Sequence, residues 1–157
     1  MRSEHFSPDT LEFIRLLARH EVRYLIVGGQ AVIYYGHARF TGDVDFFYSI
    51  EPKNTERLFT ALKEFWGGDV PGVGKATDLQ HKGYVIQFGR PPNRIDLLAS
   101  IDGVEFEDAW ASRQRVPIEN ANFGIWMLSL EMLIRNKRSS DRPKDRDDLL
   151  FLDRNIK

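Results

Sequence analysis

The sequence predicts an α/β (α+β) fold: a mixed sheet flanked by helices, with a short helical segment toward the C-terminal end. Three observations predict it. Short runs of β-forming residues at 24–27, 43–48, 84–88 and 95–99 alternate with stretches whose apolar residues recur at helical spacing. Glycine, proline and N-capping residues mark the boundaries between them. A chain of 157 residues, 42% apolar and 12% aromatic, suffices for one compact domain over 1–157 and leaves no room for a second large one. The expected division is a sheet core over 1–115 followed by a helical extension over 116–157.

Each element has its own reason. Ser7 and Pro8 supply an N-cap and a first turn, and Leu11, Ile14, Leu17 and Ala18 then recur at helical spacing through Arg19. Tyr24-Leu25-Ile26-Val27 reads as a strand ending at Gly28-Gly29, and 30–35 as a brief helix closed by Gly36. Asp43-Val44-Asp45-Phe46-Phe47-Tyr48 alternates charged and apolar residues before turning wholly apolar, which predicts a second strand. Pro52 opens a helix with an apolar stripe of Leu58, Leu62 and Phe65, stopped by Gly67-Gly68, and a glycine-rich loop follows. The runs 84–88 and 95–99 are separated by Gly89-Arg90-Pro91-Pro92-Asn93, short enough for an antiparallel hairpin. The spacing predicts a helix over 104–113 with Phe106, Ala109 and Trp110 inward, then edge structure around 116–118 and 123–127. Ser129 caps a helix through Arg138, and Pro143 opens the last, with Leu149 and Leu152 as apolar residues.

Composition excludes several function classes. Twenty-two basic residues against 23 acidic ones leave a net charge of −1, so bulk charge supports no wholesale attraction to nucleic acid or membrane. The absence of cysteine removes disulfides, thiolate metal sites and a cysteine nucleophile, and points to a cytoplasmic address. The first ten residues carry no signal-peptide pattern, and no apolar run reaches the roughly 18 residues of a membrane span. His5, His20, His37 and His81 are too scattered for a zinc site, although His37 and His81 have positions compatible with a cleft. Gly74-Lys75 lacks the flanking residues of a phosphate loop, and Trp66, Trp110 and Trp126 fit packing better than base stacking.

The candidate chemistry is carboxylate chemistry. Asp43 and Asp45, two apart on a strand, project from one face about 6.6 Å apart. Magnesium takes oxygen ligands and is held by one or two carboxylates together with substrate phosphates. Asp96 lies among Ile95, Leu97 and Leu98, where a buried carboxylate needs either a cation shared with the other two or a basic neighbour such as Arg94. Gly28-Gly29 hands a strand to a helix, a place where backbone approaches a ligand closely and N–H donors are free. Arg39 and Thr41 in the following loop either orient phosphate or cap the loop. Arg135, Lys137, Arg138, Arg142, Lys144 and Arg146 crowd into two turns of helix and a loop. They form either a phosphate patch or a solvated face balanced by Asp141, Asp145, Asp147 and Asp148.

The series Gly28-Gly29, Ala31, Gly36, Arg39, Thr41 and Asp43-Val44-Asp45 resembles the signature of the DNA polymerase β-like nucleotidyltransferase superfamily, in its minimal branch. The resemblance implies a nucleotidyltransferase fold in which Gly28-Gly29 hold a triphosphate, and Asp43, Asp45 and Asp96 are catalytic and bind Mg²⁺ or Mn²⁺. Further segments are similar to nucleotidyltransferases of abortive-infection and toxin-antitoxin systems. These are Pro92-x-x-Ile95-Asp96-Leu97-Leu98, Gly103-Val104-x-Phe106 and Lys137-x-x-x-x-Arg142-Pro143-Lys144-Asp145-x-x-Asp148-Leu149. They single out Lys137 and Lys144 beside Arg39 and Thr41 as nucleotide-binding residues. The implied reaction moves a nucleoside monophosphate from a nucleoside triphosphate to a hydroxyl on a protein, an RNA end or a small molecule. The alternative is a binding module of the same fold that serves as partner to a cognate toxin or antitoxin. One departure stands out: Gly29 replaces a serine that in many members contacts phosphate, which implies weaker turnover.

Overall fold

A computed structural model describes residues 1–2 and 5–155. The chain is α+β, with a six-stranded mixed sheet flanked by helices, consistent with a nucleotidyltransferase-like fold. Its elements run α1 (Pro8–Arg19), β1 (Tyr24–Val27), α2 (Gly28–Tyr34), β2 (Asp43–Tyr48), α3 (Pro52–Trp66), β3 (Val85–Phe88) and β4 (Arg94–Leu98). The chain continues through α4 (Phe106–Ala111), β5 (Gln114–Pro117), β6 (Gly124–Met127), α5 (Leu130–Ser140) and α6 (Pro143–Leu152). Short 3₁₀ turns occupy Ala76–Gln80 and Asp153–Asn155.

The strands lie in the order β3-β4-β2-β1-β6-β5, with β1 antiparallel to β2, β2 parallel to β4, and β1 parallel to β6. The β3–β4 hairpin is antiparallel, as its short connection predicts. β1 is buried at all four positions, which is why it reads as a continuous apolar run and sits at the centre of the sheet. β2 changes character along its length: Asp43 and Asp45 are half-buried around a buried Val44, whereas Phe46, Phe47 and Tyr48 are fully enclosed. One end of the strand is therefore anchored and the other is free to present carboxylates. Phe46 holds the anchored end, with Phe13 edge-on at 5.2 Å and Tyr24 at 5.7 Å. The Tyr48 hydroxyl donates to Leu79 O at 2.9 Å, fastening the 3₁₀ turn to the sheet.

α1 packs with α3, α5 with α6 and α2, and α4 against β1. Ser7 and Ser129 cap α1 and α5 by accepting from Thr10 N and Met132 N, as their sequence positions predict. Three expectations need correction. The boundary at residue 115 falls inside β5, and β6 lies beside central β1, so the sheet extends to Met127 before the helices begin. The helix expected over 104–113 is shorter, because Val104 is drawn into a bridge with Ile101. The helix expected over 30–35 begins two residues earlier, so the glycines themselves form its first turn. Among the described residues no helix is long and apolar enough to cross a membrane.

Candidate active site

Strand register builds the acidic face. Parallel pairing of β2 with β4 sets Asp43 beside Arg94 and Asp45 beside Asp96. Residues two apart on a strand share a face, so these four side chains form one block. A carboxylate oxygen from each of Asp43, Asp45 and Asp96 lies within 4.8 Å of the other two. Asp96 is buried and the other two are half-buried, so the cluster opens to one side.

Arg94 completes the block. Its Nη2 donates to Asp43 Oδ2 at 2.7 Å, while Nε and Nη2 donate to Asp96 Oδ1 and Oδ2 at 2.8 and 3.0 Å. Of the two resolutions offered for Asp96, the pairing with Arg94 is the one the structure shows, and the neighbouring carboxylates leave Asp96 placed where a shared cation would lie. Gln87 Nε2 adds a longer contact to Asp96 Oδ2 at 3.4 Å. Asp45 has no basic partner among the hydrogen bonds and ion pairs of the described residues. Burial, the charges of Asp43 and Asp96 and a hydrogen bond with Asp96 push its carboxyl up to about 7, with Lys144 pulling the other way.

The glycine turn closes over this face from β1, whose Val27 pairs with Asp45. Gly28 has φ +65°, and a Cβ there would overlap the Asp45 carboxylate, so conformation and space both require glycine. A Cβ on Gly29 would lie 2.5 Å from Thr41 Oγ1 and 2.9 Å from Thr41 Cβ. Thr41 therefore occupies the space a residue-29 side chain would need, and its hydroxyl donates to Asp43 Oδ1 at 3.2 Å. This gives the missing serine a steric account.

The basic residues separate into two groups. Lys144 is exposed, and its charge acts on Asp45. Together with His37, Arg39, Leu150 and Phe151 it borders a cavity of about 370 Å³. Lys137 is different: it is 3% exposed, with Nζ 3.1 Å from Asp145 Oδ1 and 3.1 Å from Asp148 Oδ2. Arg39 is also engaged, its Nε and Nη2 bonding Asp148 Oδ1 and Oδ2 at 2.9 and 3.2 Å. The picture of a solvated α6 face carrying Asp145 and Asp148 is corrected, since both are fully buried under these cations. Burial alone would raise Asp145. Hydrogen bonds from Arg142, Ser140 and Lys137 outweigh it and hold the carboxyl well below the usual carboxylate range. His37 stacks on Phe151 at 3.8 Å with Nδ1 3.3 Å from Asp148 Oδ1. The network thus ties the Arg39–Thr41 loop to α5 and α6. Sequence reasoning missed Asp145 and Asp148 as its organisers, although their i, i+3 spacing on α6 was the available signal.

Residues 9–152 match the family described as nucleotidyltransferase of unknown function (DUF6036). The chain belongs to this family. The match begins in α1 and ends in α6, so it takes in the acidic face, the glycine turn and the α5–α6 network. The family description does not reach the toxin-antitoxin branch, and no curated protein matches the chain. For a nucleotidyltransferase the donor set is chemically suited to a divalent cation. It offers oxygen ligands only, from three carboxylates, with no histidine or cysteine among them.

Proposed function

We propose that the chain is a metal-dependent nucleotidyltransferase that moves a nucleoside monophosphate from a nucleoside triphosphate to a hydroxyl acceptor, releasing pyrophosphate. The observation that carries this reading is the convergence of Asp43, Asp45 and Asp96 on one open face beneath a glycine turn. These three residues would hold Mg²⁺, with Mn²⁺ as a substitute. Divalent cations, when bound, neutralise the triphosphate and favour in-line displacement at its α-phosphorus.

The protein's own groups do the rest. The Gly28-Gly29 backbone N–H groups and the Thr41 hydroxyl, which donates to Asp43 in the free chain, are the donors offered to the phosphates, and exposed Lys144 contributes positive charge to the site. Asp96 takes the proton of the acceptor hydroxyl as its oxygen bonds to the α-phosphorus and the bond to the β-phosphate oxygen breaks. Arg39 and Lys137 act as positioning residues, because Asp148 and Asp145 already occupy their cationic groups. We extend the reading to a toxin-antitoxin pair, on the strength of the Gly103–Phe106 and Lys137–Asp148 resemblances, and to the cytoplasm, on the absence of cysteine.

A specific observation favours the rival reading of an inactive binding module: Arg94 occupies oxygens of two of the three acids. One experiment separates the two. The protein is incubated with Mg²⁺, each labelled nucleoside triphosphate in turn, and total cell extract. Labelling of one macromolecule or metabolite, lost in Asp45→Ala, supports the enzyme. Absence of label with all nucleotides overturns it in favour of the binding module.

A further inference from the structure

The acidic face carries its own cation. Four charged residues lie in a two-by-two block on adjacent strands, Asp43 beside Arg94 and Asp45 beside Asp96, and Arg94 bonds the two acids nearest to it in register and along the strand. Its guanidinium engages Asp96 with both Nε and Nη2, and Nη2 reaches across to Asp43. These are short, charge-assisted bonds of the bidentate kind that arginine forms with carboxylates. The pairing is also accessible. The Arg94 side chain is 28% exposed and Asp43 24%, whereas Asp96 beneath them is 6% exposed. A cation approaching Asp96 from the open side therefore meets Arg94 first.

We propose that Arg94 is a built-in competitor for the metal-binding carboxylates, so that metal and triphosphate bind strongly only together. This rests on the reading of Asp43, Asp45 and Asp96 as metal ligands. A bare divalent ion that takes oxygens of Asp43 and Asp96 must release the guanidinium into water, which replaces the charge-assisted carboxylate bonds only with hydration. A metal–triphosphate complex brings phosphate oxygens to the same place and offers the released fork a new bidentate partner. The guanidinium passes from carboxylate to phosphate, and each ligand strengthens the binding of the other. Lys144, another cation acting on the cluster, is exposed and forms no ion pair with the three acids among the described residues. It contributes field and no competition.

The test is calorimetric titration of Mn²⁺ alone into the wild-type chain, Arg94→Ala and Lys144→Ala. Removing the competitor should tighten Mn²⁺ binding at least about tenfold in Arg94→Ala, the equivalent of one charge-assisted contact. Lys144→Ala should change it by less than about threefold, as an exposed screened charge does. With a non-hydrolysable triphosphate present, the factor by which metal and nucleotide reinforce each other should fall in Arg94→Ala. Nitrogen-15 spectra supply a readout independent of affinity: the Arg94 Nε–H signal, bonded to Asp96 in the free protein, should move when Mg²⁺ and the triphosphate are added together. If Arg94→Ala does not fold, Arg94→Lys keeps the charge without the fork and should tighten Mn²⁺ by about threefold or more. Unchanged or weaker Mn²⁺ binding in the Arg94 variants, with measurable binding to wild type, overturns the competitor. Equal tightening in the Arg94 and Lys144 variants also overturns it, in favour of a diffuse field. Mn²⁺ binding to none of these proteins sinks the metal reading itself, and this inference with it.

Discussion

At the scale of single residues, Asp45 and Gly29 carry the sharpest consequences. Asp45 holds its proton to about 7 in the fold, while an ordinary aspartate has released it near 3.8. Between those values the folded protein binds more protons than the unfolded chain, so the contribution of this group to stability falls as pH rises. The metal-free protein should therefore melt several degrees higher at pH 5 than at pH 8 on this account, and Asp45→Asn should abolish most of the difference. Thermal melts in chelator at the two pH values check it. An Asp45→Asn melting temperature that still falls as steeply would show that the strain lies elsewhere. Gly29 makes a steric prediction. Gly29→Ser alone forces Thr41 aside, which should cost about 1–3 kcal/mol as other overpacked sites do. Gly29→Ser in a Thr41→Ala background should recover at least about half of that, a coupling that denaturant melts of the single and double variants measure.

At the scale of elements, the basic residues of α5 and α6 divide, on the proposed reading, between structure and site. Lys137→Ala would leave Asp145 and Asp148 buried beneath Arg142 and Arg39 but short of their shared cation, at a cost of about 3–5 kcal/mol. Lys144→Ala should leave the melting temperature alone and weaken nucleotide binding by about 1.5–3 kcal/mol, as loss of a charged hydrogen bond does. Arg138→Ala and Arg146→Ala should affect neither, because each side chain is 64% exposed and its ion pair is screened. Melting and nucleotide titration of the four variants test the division. Much of this scale was legible in advance. Caps at Ser7 and Ser129, Pro8, Pro52 and Pro143 at first turns, and the short β3–β4 connection all act locally, so a local reading finds them. What was not legible depended on neighbours distant in the chain. β6 gains its place from pairing with β1 about a hundred residues earlier, and no local pattern distinguishes such a strand from an edge piece. The same holds for Lys137, whose charge suggests phosphate but whose side chain is buried against Asp145 and Asp148 of α6.

At the scale of the whole molecule, the sheet order explains why the site lies where it does. β1, β2 and β4 are adjacent, and their pairing brings the glycine turn, the Asp43/Asp45 pair and Asp96 to one place from three separate segments. The three segments were individually visible as a glycine turn, an alternating acidic strand and an acid in an apolar run, and the register that joins them also places Arg94 among them. β2 keeps this end accessible by burying its other end in aromatic packing, so stability and access are assigned to opposite halves of one strand. The central claim is that the acidic face completes its coordination with nucleotide phosphates. Calorimetric titration of a nucleoside triphosphate with and without Mg²⁺ tests it most directly, using wild type and Asp45→Ala. The account predicts strong binding in wild type only when Mg²⁺ is present, and loss of that dependence in Asp45→Ala. Equal wild-type affinity with and without Mg²⁺ would contradict it.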